Sequence, residues 1–416
     1  MNVLLLTPLP PCPQYTGCIL LEAMCRFLPA DAITCFCPID EIPDNITIAP
    51  DLQDMHVACA GPTTNFSRVR RQRFAKKLPG VDGLAALADR AIGWRAVVDA
   101  AVKIGTERGV DRIWCILQEP VLCKLGLEVA QRLGVPLYTQ IWDYPDYWAR
   151  MNNFGRTARQ SLLNDFQKAV RSSSCCAAAS REMAYDITEV HGCPAVPIVG
   201  SLDRYITNHR VEHQDFARDE VTIGMAGQLY ASGAWSALLR ALESVDWKIA
   251  GKQVRLRYLG YNRFIPDEFI IGRSRNACIE YLGYRPLEGV VSVLSSCDIN
   301  YAPFFSGEVL ETLTHTSFPA KVASYLAAGR PVFFHGPTYA PASKFLEENS
   351  AGVTCGTLDP AVIVEGLTGM VEDEPTYRRL KFNARRAFTD HLTLDSLREN
   401  FTDFITAPPR DVRGIA

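Results

Sequence analysis

Short apolar runs alternate with longer amphipathic segments along this chain. Runs that are apolar on both faces are typical of parallel strands covered by helices on either side. In the N-terminal part, strands are predicted at 3–7, 33–37, 55–60, 112–117, 137–142 and 175–179. Helical patterns occur at 19–28, 66–77, 84–107, 121–133 and 158–171. This alternation of strand and helix predicts a parallel α/β sheet.

A second alternation follows a break in the pattern. Pro194, Pro197 and the polar run 208–219 interrupt the first series of strands and helices. Strands are then predicted at 221–226, 254–259, 278–282, 299–302 and 332–334, and helices at 234–245, 318–328, 340–348, 361–371, 377–391 and 394–405. We therefore predict an N-terminal domain over 1–205 and a second doubly wound domain over 206–390, facing one another across a cleft.

The composition is that of an ordinary folded protein. The chain has 416 residues, of which 48% are apolar and 21% charged, and its net charge is −3. This length is typical of two or three domains, and the composition excludes a disordered or low-complexity chain. Because the charge is nearly balanced, it gives no argument for a nucleic-acid partner.

The N-terminal apolar run has no Lys or Arg before it. It therefore predicts a buried first strand rather than a signal peptide. No stretch reaches the roughly 18 apolar residues of a membrane-spanning helix. We expect a soluble, cytoplasmic protein whose contact with a membrane is at most peripheral.

The 14 cysteines form no metal or disulfide pattern, because no Cys-x-x-Cys pair occurs. We expect reduced core thiols in a reducing compartment. The chain also lacks Gly-x-Gly-x-x-Gly, the P-loop, His-Glu-x-x-His and Gly-x-Ser-x-Gly. These absences count against nicotinamide dehydrogenases, P-loop kinases, zincin proteases and α/β-hydrolases.

The stretch TSFPAKVASYLAAGRPVFF, residues 316–334, carries the most informative pattern. Ser317 is a typical N-cap, Pro319 suits a first helical turn, and Gly329 suits a helix end. Together they predict a helix over 318–328.

Lys321 and Ser324 share one face of this predicted helix. Free N–H groups at the helix start, a hydroxyl and an ammonium together form a candidate anion site, with phosphate as the expected anion. The alternative is that Lys321 is simply solvated and the capping residues only cap.

This stretch resembles the donor-binding signature of GT-B glycosyltransferases of the family 4 (group 1) type, commonly Ser-x-Pro-x-Lys-x-x-Glu-Tyr-x-Ala-x-Gly-x-Pro-Val. The matching positions are Ser317, Pro319, Lys321, Tyr325, Ala327, Gly329, Pro331 and Val332. A looser likeness covers 197–203, 223–242, 281–286, 295–304 and the terminal helix, in the family's order. The resemblance implies the GT-B fold, with two facing Rossmann-like domains and the segment 391–416 returning to the first.

The resemblance also implies a nucleotide-diphosphate sugar, bound mainly by the second domain. The implied donor-binding positions are Gly17, Gly227, Gln228, Tyr284, Thr316, Ser317, Phe318, Pro319, Lys321 and Ser324, with Glu308, Glu311 and His315 as replacement contacts just upstream.

Two departures from the family pattern bear on donor binding. The family commonly has carboxylates where Thr316 and Ser324 stand, and an Arg and a Lys near Gln228 and Ser232. A lost carboxylate–ribose contact removes about 1.5–3 kcal/mol of binding. Either the donor is held differently, or the protein is weak or inert as an enzyme.

In the first domain, Asp143 follows the predicted strand 137–142, where the family places a His or Asp near the acceptor hydroxyl. Asp143 is therefore the candidate catalytic residue, accepting a proton or stabilising positive charge at the sugar carbon. The alternative is a loop aspartate that caps the next turn, and Asp146 is a weaker candidate. Residues 118–119, which end the preceding strand, are further candidates.

Gly17 corresponds to a glycine loop that the family places near the donor phosphates. It predicts a close backbone approach, and the alternative is an ordinary glycine at a helix start.

A basic amphipathic segment, FSRVRRQRFAKKL, occupies 66–78. The basic residues assigned to a membrane or acceptor surface are Arg70, Arg71, Arg73, Lys76 and Lys77. Such a helix is typical of binding to anionic lipid, at about 1 kcal/mol per basic residue. A solvated helix face and a nucleic-acid patch are the alternatives.

The sequence therefore predicts a cytoplasmic glycosyltransferase at the inner face of a membrane. It would move a sugar from a nucleotide-diphosphate sugar to a glycan or lipid-linked acceptor, and it would bind no nucleic acid. The resemblance implies retention of the anomeric configuration and no metal or other cofactor. The alternatives are a non-catalytic GT-B partner protein and a sugar-nucleotide epimerase or hydrolase.

Overall fold

The computed structural model describes residues 1–61, 93–211, 219–260, 278–304, 307 and 311–410. The chain divides into two compact units, one of Met1–Ile198 with Leu397–Ala416 and the other of Val199–Ser396. Each unit is built on a parallel sheet with helices between its strands, as the alternating pattern predicts.

The first unit contains a seven-stranded parallel sheet in the order β3-β2-β1-β4-β5-β6-β7. Its strands are β1 (Val3–Leu6), β2 (Ile33–Cys37), β3 (His56–Cys59), β4 (Arg112–Ile116), β5 (Leu137–Ile141), β6 (Cys175–Ala178) and β7 (Ala195–Pro197). Its described helices are α1 (Thr16–Cys25), α2 (Trp94–Glu107), α3 (Pro120–Leu133), α4 (Pro145–Met151), α5 (Arg156–Arg171) and α6 (Arg181–His191).

Burial explains the strand sequences of this unit. Every residue of β1, β2, β5 and β6 is buried, so these strands are largely apolar on both faces. Helix ends follow local rules as well. The Ser180 hydroxyl accepts a hydrogen bond from the Met183 N–H at the start of α6, and Gly134 ends α3 with a φ of +69°.

The second unit has the strand order β11-β10-β8-β12-β13-β14, with β9 antiparallel to β10. Its strands are β8 (Glu220–Ala226), β9 (Lys248–Ile249), β10 (Lys252–Leu259), β11 (Ile279–Tyr281), β12 (Ile299–Pro303), β13 (Val332–His335) and β14 (Gly352–Cys355). Its described helices are α7 (Ser232–Glu243), α8 (Leu287–Ser295), α9 (Glu311–Thr316), α10 (Lys321–Ala327), α11 (Pro341–Glu348), α12 (Pro360–Val371) and α13 (Glu374–His391), and the last helix of the chain is α14 (Leu394–Ile405).

The boundary between the units lies earlier than the sequence pattern indicates. The first unit's N-terminal part ends at Ile198, whereas the pattern placed the boundary after residue 205. Leu202 exchanges two backbone hydrogen bonds of 3.0 Å with Leu392 and Leu394, and Ile206 is buried in the second unit's core. These contacts also explain why the chain stays with the second unit until Ser396 rather than leaving it at residue 391.

Several short elements escape the sequence pattern, among them β7, β14, α4, α6, α8 and α9. Because Pro197 interrupts the apolar pattern, the sequence predicts no strand at 195–197. Pro197 instead ends β7, which is an edge strand, where a missing N–H costs little.

The predicted burial of the cysteines is confirmed for most of them. All of the cysteines lie among the described residues and are free, and all except Cys59 and Cys278 are buried. Burial raises the pKa of thiols such as Cys193, to about 12, which keeps them protonated and unreactive.

The end of the chain completes the core of the first unit, as the resemblance implies. The Phe401 ring lies 5.1 Å from Trp114 and 5.9 Å from Phe27, and the Phe404 ring makes an edge contact with Tyr138 at 5.9 Å. Both phenylalanines are buried. From Leu397 onward, α14 is therefore part of the first unit.

Replacing Phe401 by alanine is expected to lower the free energy of unfolding by about 3–5 kcal/mol, because it leaves a cavity beside Trp114. Phe382→Ala is the matched control, since that ring is 64% exposed, and it should change the value by less than about 0.5 kcal/mol. Urea unfolding followed by circular dichroism measures both variants. Equal losses would contradict a core role for α14.

Candidate functional site

The strand order of the second unit reverses at β8. The chain proceeds from β8 to β10 and β11 on one side of the sheet, and then returns to β12, β13 and β14 on the other. Loops that leave adjacent strands in opposite directions open a crevice at the carboxyl end of the sheet, where α/β proteins bind ligands. The loop after β8, residues 227–231, begins at this point.

Tyrosine hydroxyls fix the backbone where β8 ends. The Tyr325 hydroxyl accepts from the Ala226 N–H at 2.9 Å and donates to the Ala226 carbonyl at 3.0 Å. The Tyr258 hydroxyl donates to the Gly227 carbonyl at 2.9 Å. Gly227 has a φ of +95°, a conformation that favours glycine. The start of this loop is therefore held in one conformation.

Lys321 on α10 lies against this loop. Its Nζ donates to the Gln228 carbonyl at 3.2 Å and lies 4.2 Å from the centre of the Tyr230 ring. The side chain is half-buried, and among the residues that the structure describes no carboxylate forms an ion pair with it. Burial lowers the pKa of Lys321 to about 7. Below that pH the site therefore presents a cation whose charge no neighbouring described side chain neutralises.

The helix that carries Lys321 is shorter than predicted. It spans seven residues, Lys321–Ala327, with Ala320 at the N-cap and no side-chain cap. Ser317 does not begin it, because the preceding residues form α9 and the Ser317 N–H donates to the Leu313 carbonyl at 2.8 Å. The predicted helix over 318–328 is therefore confirmed only for Lys321–Ala327, and its predicted start with the Ser317 cap is wrong.

Thr316 and Ser324, which stand where the family commonly has carboxylates, are both buried. The Thr316 hydroxyl donates to the Thr312 carbonyl at 2.7 Å, and the Ser324 hydroxyl donates to the Lys321 carbonyl at 2.8 Å. Each hydroxyl thus bonds its own helix, which is a common use of these residues in helices.

The other predicted donor residues lie at different places on the second unit. Phe318 contacts Phe345 edge-on at 5.5 Å, and the His315 ring stacks on Tyr339 at 4.0 Å. Tyr284 is 59% exposed in the loop after β11. Pro319 accepts a backbone bond from Val322, and Glu308 lies outside the described residues.

The first unit has its own reversal of strand order, between β1 and β4. Gly17 opens α1 on one side of it, and a Cβ atom there would lie 2.4 Å from Cζ3 of Trp142 at the end of β5. The space beside Gly17 is therefore filled by the indole of Trp142, and the predicted approach of donor phosphates at Gly17 stays a prediction.

Asp143 follows Trp142 directly and is half-buried. Burial and then the nearby Asp143 charge raise the pKa of the Tyr147 hydroxyl, so these two side chains are neighbours. Asp146 accepts hydrogen bonds from Arg150, at 2.9 Å, and from Arg159. Burial opposes its charge, yet these bonds outweigh burial and lower the pKa of Asp146. Asp146 is thus engaged in structural ion pairs.

The predicted basic surface of Arg70, Arg71, Arg73, Lys76 and Lys77 falls at 62–92, outside the described residues. No helix in the described part of the chain is both long and apolar enough to cross a membrane. Within the same described ranges, no group of three or more His, Cys, Asp or Glu side chains is arranged to hold a metal ion.

Sequence reasoning missed Trp142 and Tyr230 as residues that shape these sites. In each case the available signal was an aromatic residue just after a buried strand, in the loop that leaves its carboxyl end. Such a position is close to ligands in α/β folds, but the residue it contacts depends on the tertiary structure.

Comparisons with known proteins support the fold. No protein-family model matches the sequence, and no curated protein matches it in sequence. The chain is similar to HepE from Anabaena in complex with UDP and glucose, at 13% identity and a TM-score of 0.65, over 98% of this chain and 100% of that one.

Two further solved structures show the same likeness. Sucrose-phosphate synthase from Thermosynechococcus elongatus is similar over 97% of this chain and 98% of its own, at 12% identity and a TM-score of 0.65. The α,α-trehalose-6-phosphate synthase of Burkholderia multivorans is similar over 96% of this chain and 95% of its own, at 13% identity and a TM-score of 0.59. The predicted GT-B fold is confirmed, and membership of family 4 stays a prediction.

Replacing Gly17 by alanine is expected to lower the free energy of unfolding by about 1–3 kcal/mol, because the new methyl group would displace the Trp142 ring. Gly369→Ala is the matched control. Gly369 lies inside α12 with no atom within 4 Å of an added Cβ, so alanine should stabilise the protein by about 0.5–1 kcal/mol. Urea titrations measure both, and an undisturbed Gly17→Ala variant would contradict this contact.

Proposed function

We propose that this protein is a glycosyltransferase that moves a sugar from a nucleotide-diphosphate sugar to an acceptor hydroxyl. The observation that carries the proposal is the half-buried, unneutralised Lys321 ammonium at the β8 reversal of a GT-B fold. A cation held there suits a diphosphate, because an anion would supply the charge partner that the described side chains do not. HepE, which shares the fold, is known with UDP and with UDP-glucose.

In this proposal Lys321 stabilises the leaving diphosphate, where negative charge develops as the sugar is transferred. Asp143 in the first unit orients or polarises the acceptor hydroxyl. We further propose that the configuration at the sugar carbon is retained and that no metal is needed. The leaving phosphate would then take the acceptor's proton on the same face of the sugar.

The acceptor proposal rests on the sequence. The basic segment at 66–78 suits an anionic lipid surface, so we propose a lipid-linked or glycan acceptor used at the cytoplasmic face of a membrane. We place this enzyme in polysaccharide or glycolipid assembly on the same ground.

A non-catalytic GT-B protein is the second candidate. The observation that favours it is that the hydroxyls of Thr316 and Ser324 donate their hydrogens to helix carbonyls, whereas the family commonly has carboxylates at these positions. Such a protein would show no turnover of any nucleotide sugar. A sugar-nucleotide epimerase or hydrolase would consume the donor without an acceptor.

Lys321→Ala is expected to weaken UDP binding about 10- to 100-fold, the value of a charge-assisted hydrogen bond. In the wild type the affinity should fall as the pH rises from 7 to 9, because the pKa of the free Lys321 is about 7 and only the charged form attracts the diphosphate. Below that pKa the ammonium is already formed, so acidification adds nothing from this group. Isothermal titration calorimetry at several pH values measures both effects.

Two further variants serve as controls for this prediction. Lys321→Arg keeps its charge above pH 7, so its affinity should be flat with pH. Lys248→Ala removes an exposed lysine on β9 and should bind UDP as the wild type does. If Lys321→Ala binds UDP normally and keeps the wild-type pH profile, the proposed donor site is wrong.

Asp143→Asn is expected to lower kcat at least about 100-fold while the protein stays folded, because the amide cannot accept a proton or carry negative charge. Asp146→Asn is the comparison variant, since it breaks ion pairs with Arg150 and Arg159. That variant should lose stability rather than chemistry. Turnover of the nucleotide sugar that binds most tightly, together with thermal unfolding, separates the two. Full activity of Asp143→Asn would remove Asp143 from the site.

A further inference from the structure

Tyr230 lies in the loop after β8, three residues beyond Gly227, and its ring is half-buried. The ring makes an edge contact with Phe304, at the end of β12, with 6.4 Å between centroids. Phe304 in turn contacts Phe334 on β13 at 5.6 Å. The Tyr230 ring therefore packs against an aromatic cluster at the ends of β12 and β13, the strands that follow β8 on one side of the sheet.

The Lys321 ammonium lies over the face of this ring, 4.2 Å from its centre. The face of an aromatic ring carries partial negative charge and attracts a cation, more strongly where water is excluded. Burial raises the pKa of the Tyr230 hydroxyl, so the phenol is neutral and does not act as a counter-anion. What holds the ammonium is the ring face together with the Gln228 carbonyl.

This arrangement leaves donor capacity on the ammonium. A lysine has three N–H donors, and the Gln228 carbonyl takes one of them. In residues 226–232 and 320–328 Lys321 is the one cationic side chain. Within these two segments, the position of that ammonium therefore sets the attraction for a diphosphate.

We propose that Tyr230 is a positioning residue that holds the Lys321 ammonium at the end of β8, ready to receive the diphosphate of the donor. The inference rests on the proposed function, because it assigns Tyr230 a part in the same donor site. A long, flexible lysine loses rotamer freedom when it binds a ligand, and a ring that already restrains it reduces that cost.

The test is a series of substitutions at Tyr230, with UDP affinity measured by calorimetry at pH 7. Tyr230→Phe keeps the ring and should bind UDP within about twofold of the wild type. Incorporation of 3,4,5-trifluorophenylalanine at position 230 keeps the shape but withdraws charge from the ring face, so affinity should fall several-fold. Tyr230→Leu should bind about tenfold more weakly, which corresponds to about 1.4 kcal/mol.

The same substitutions in a Lys321→Ala background show whether the ring acts through the lysine. If it does, Tyr230→Leu and the trifluorinated ring should have no further effect there. An equal loss in both backgrounds would mean that the ring only shapes the loop, and the proposal would be overturned. Tighter binding by Tyr230→Leu would also overturn it, because the ring would then hold the lysine away from the donor.

The outcomes separate this inference from the function it rests on. If Lys321→Ala weakens UDP binding and the fluorinated series is flat, Tyr230 has no positioning role and the donor site stands. If the wild type binds neither UDP nor another nucleoside diphosphate, the proposed function fails and this inference fails with it. Should Tyr230→Leu not fold, the isosteric fluorinated ring still decides the question.

Discussion

The reversal of strand order at one central strand is the constraint on which each unit depends. β1 and β8 are buried within parallel sheets, and the chain must leave them toward one side and later return on the other. Parallel strands cannot be joined by tight hairpins, so each strand is followed by a loop at the carboxyl end of the sheet and a longer crossover, which usually contains a helix. The loops that begin at residues 7 and 227 owe their position to this topology, and Lys321 lies against the second of them.

At the β8 reversal of the second unit, neutral groups rather than a carboxylate contact the lysine ammonium. Tyr325 and Tyr258 hold the backbone of Ala226 and Gly227 through their hydroxyls, and Tyr230 and the Gln228 carbonyl hold Lys321. A carboxylate at this place would neutralise the lysine and repel a diphosphate. Aromatic rings and carbonyl groups retain a cation while leaving its net charge available. Neutral partners are thus consistent with an anion site.

In the first unit, close packing at Gly17 determines the local structure. The missing side chain at this position lets the Trp142 indole lie against the start of α1. Asp143 follows Trp142 directly in the chain. The packing of the indole therefore restricts the position of the Asp143 backbone. Asp146, one turn along, is committed to Arg150 and Arg159. Asp146 is therefore held by arginines of the first unit.

The sequence by itself determined the fold class. Strands that are buried on both faces consist of continuous apolar residues, and here such runs alternate with segments of helical periodicity. It also singled out Lys321, Gly17 and Asp143, since each belongs to a local pattern, and their roles in chemistry stay predictions. It did not determine that α10 begins only at Lys321, after a separate helix that ends at Thr316. It also did not indicate that the hydroxyls of Thr316 and Ser324 would bond their own helices. The contacts of Lys321 with Tyr230 and of Gly17 with Trp142 join residues that are far apart in the chain. Only tertiary structure decides such pairs, because which side chains meet depends on the order in which the strands assemble.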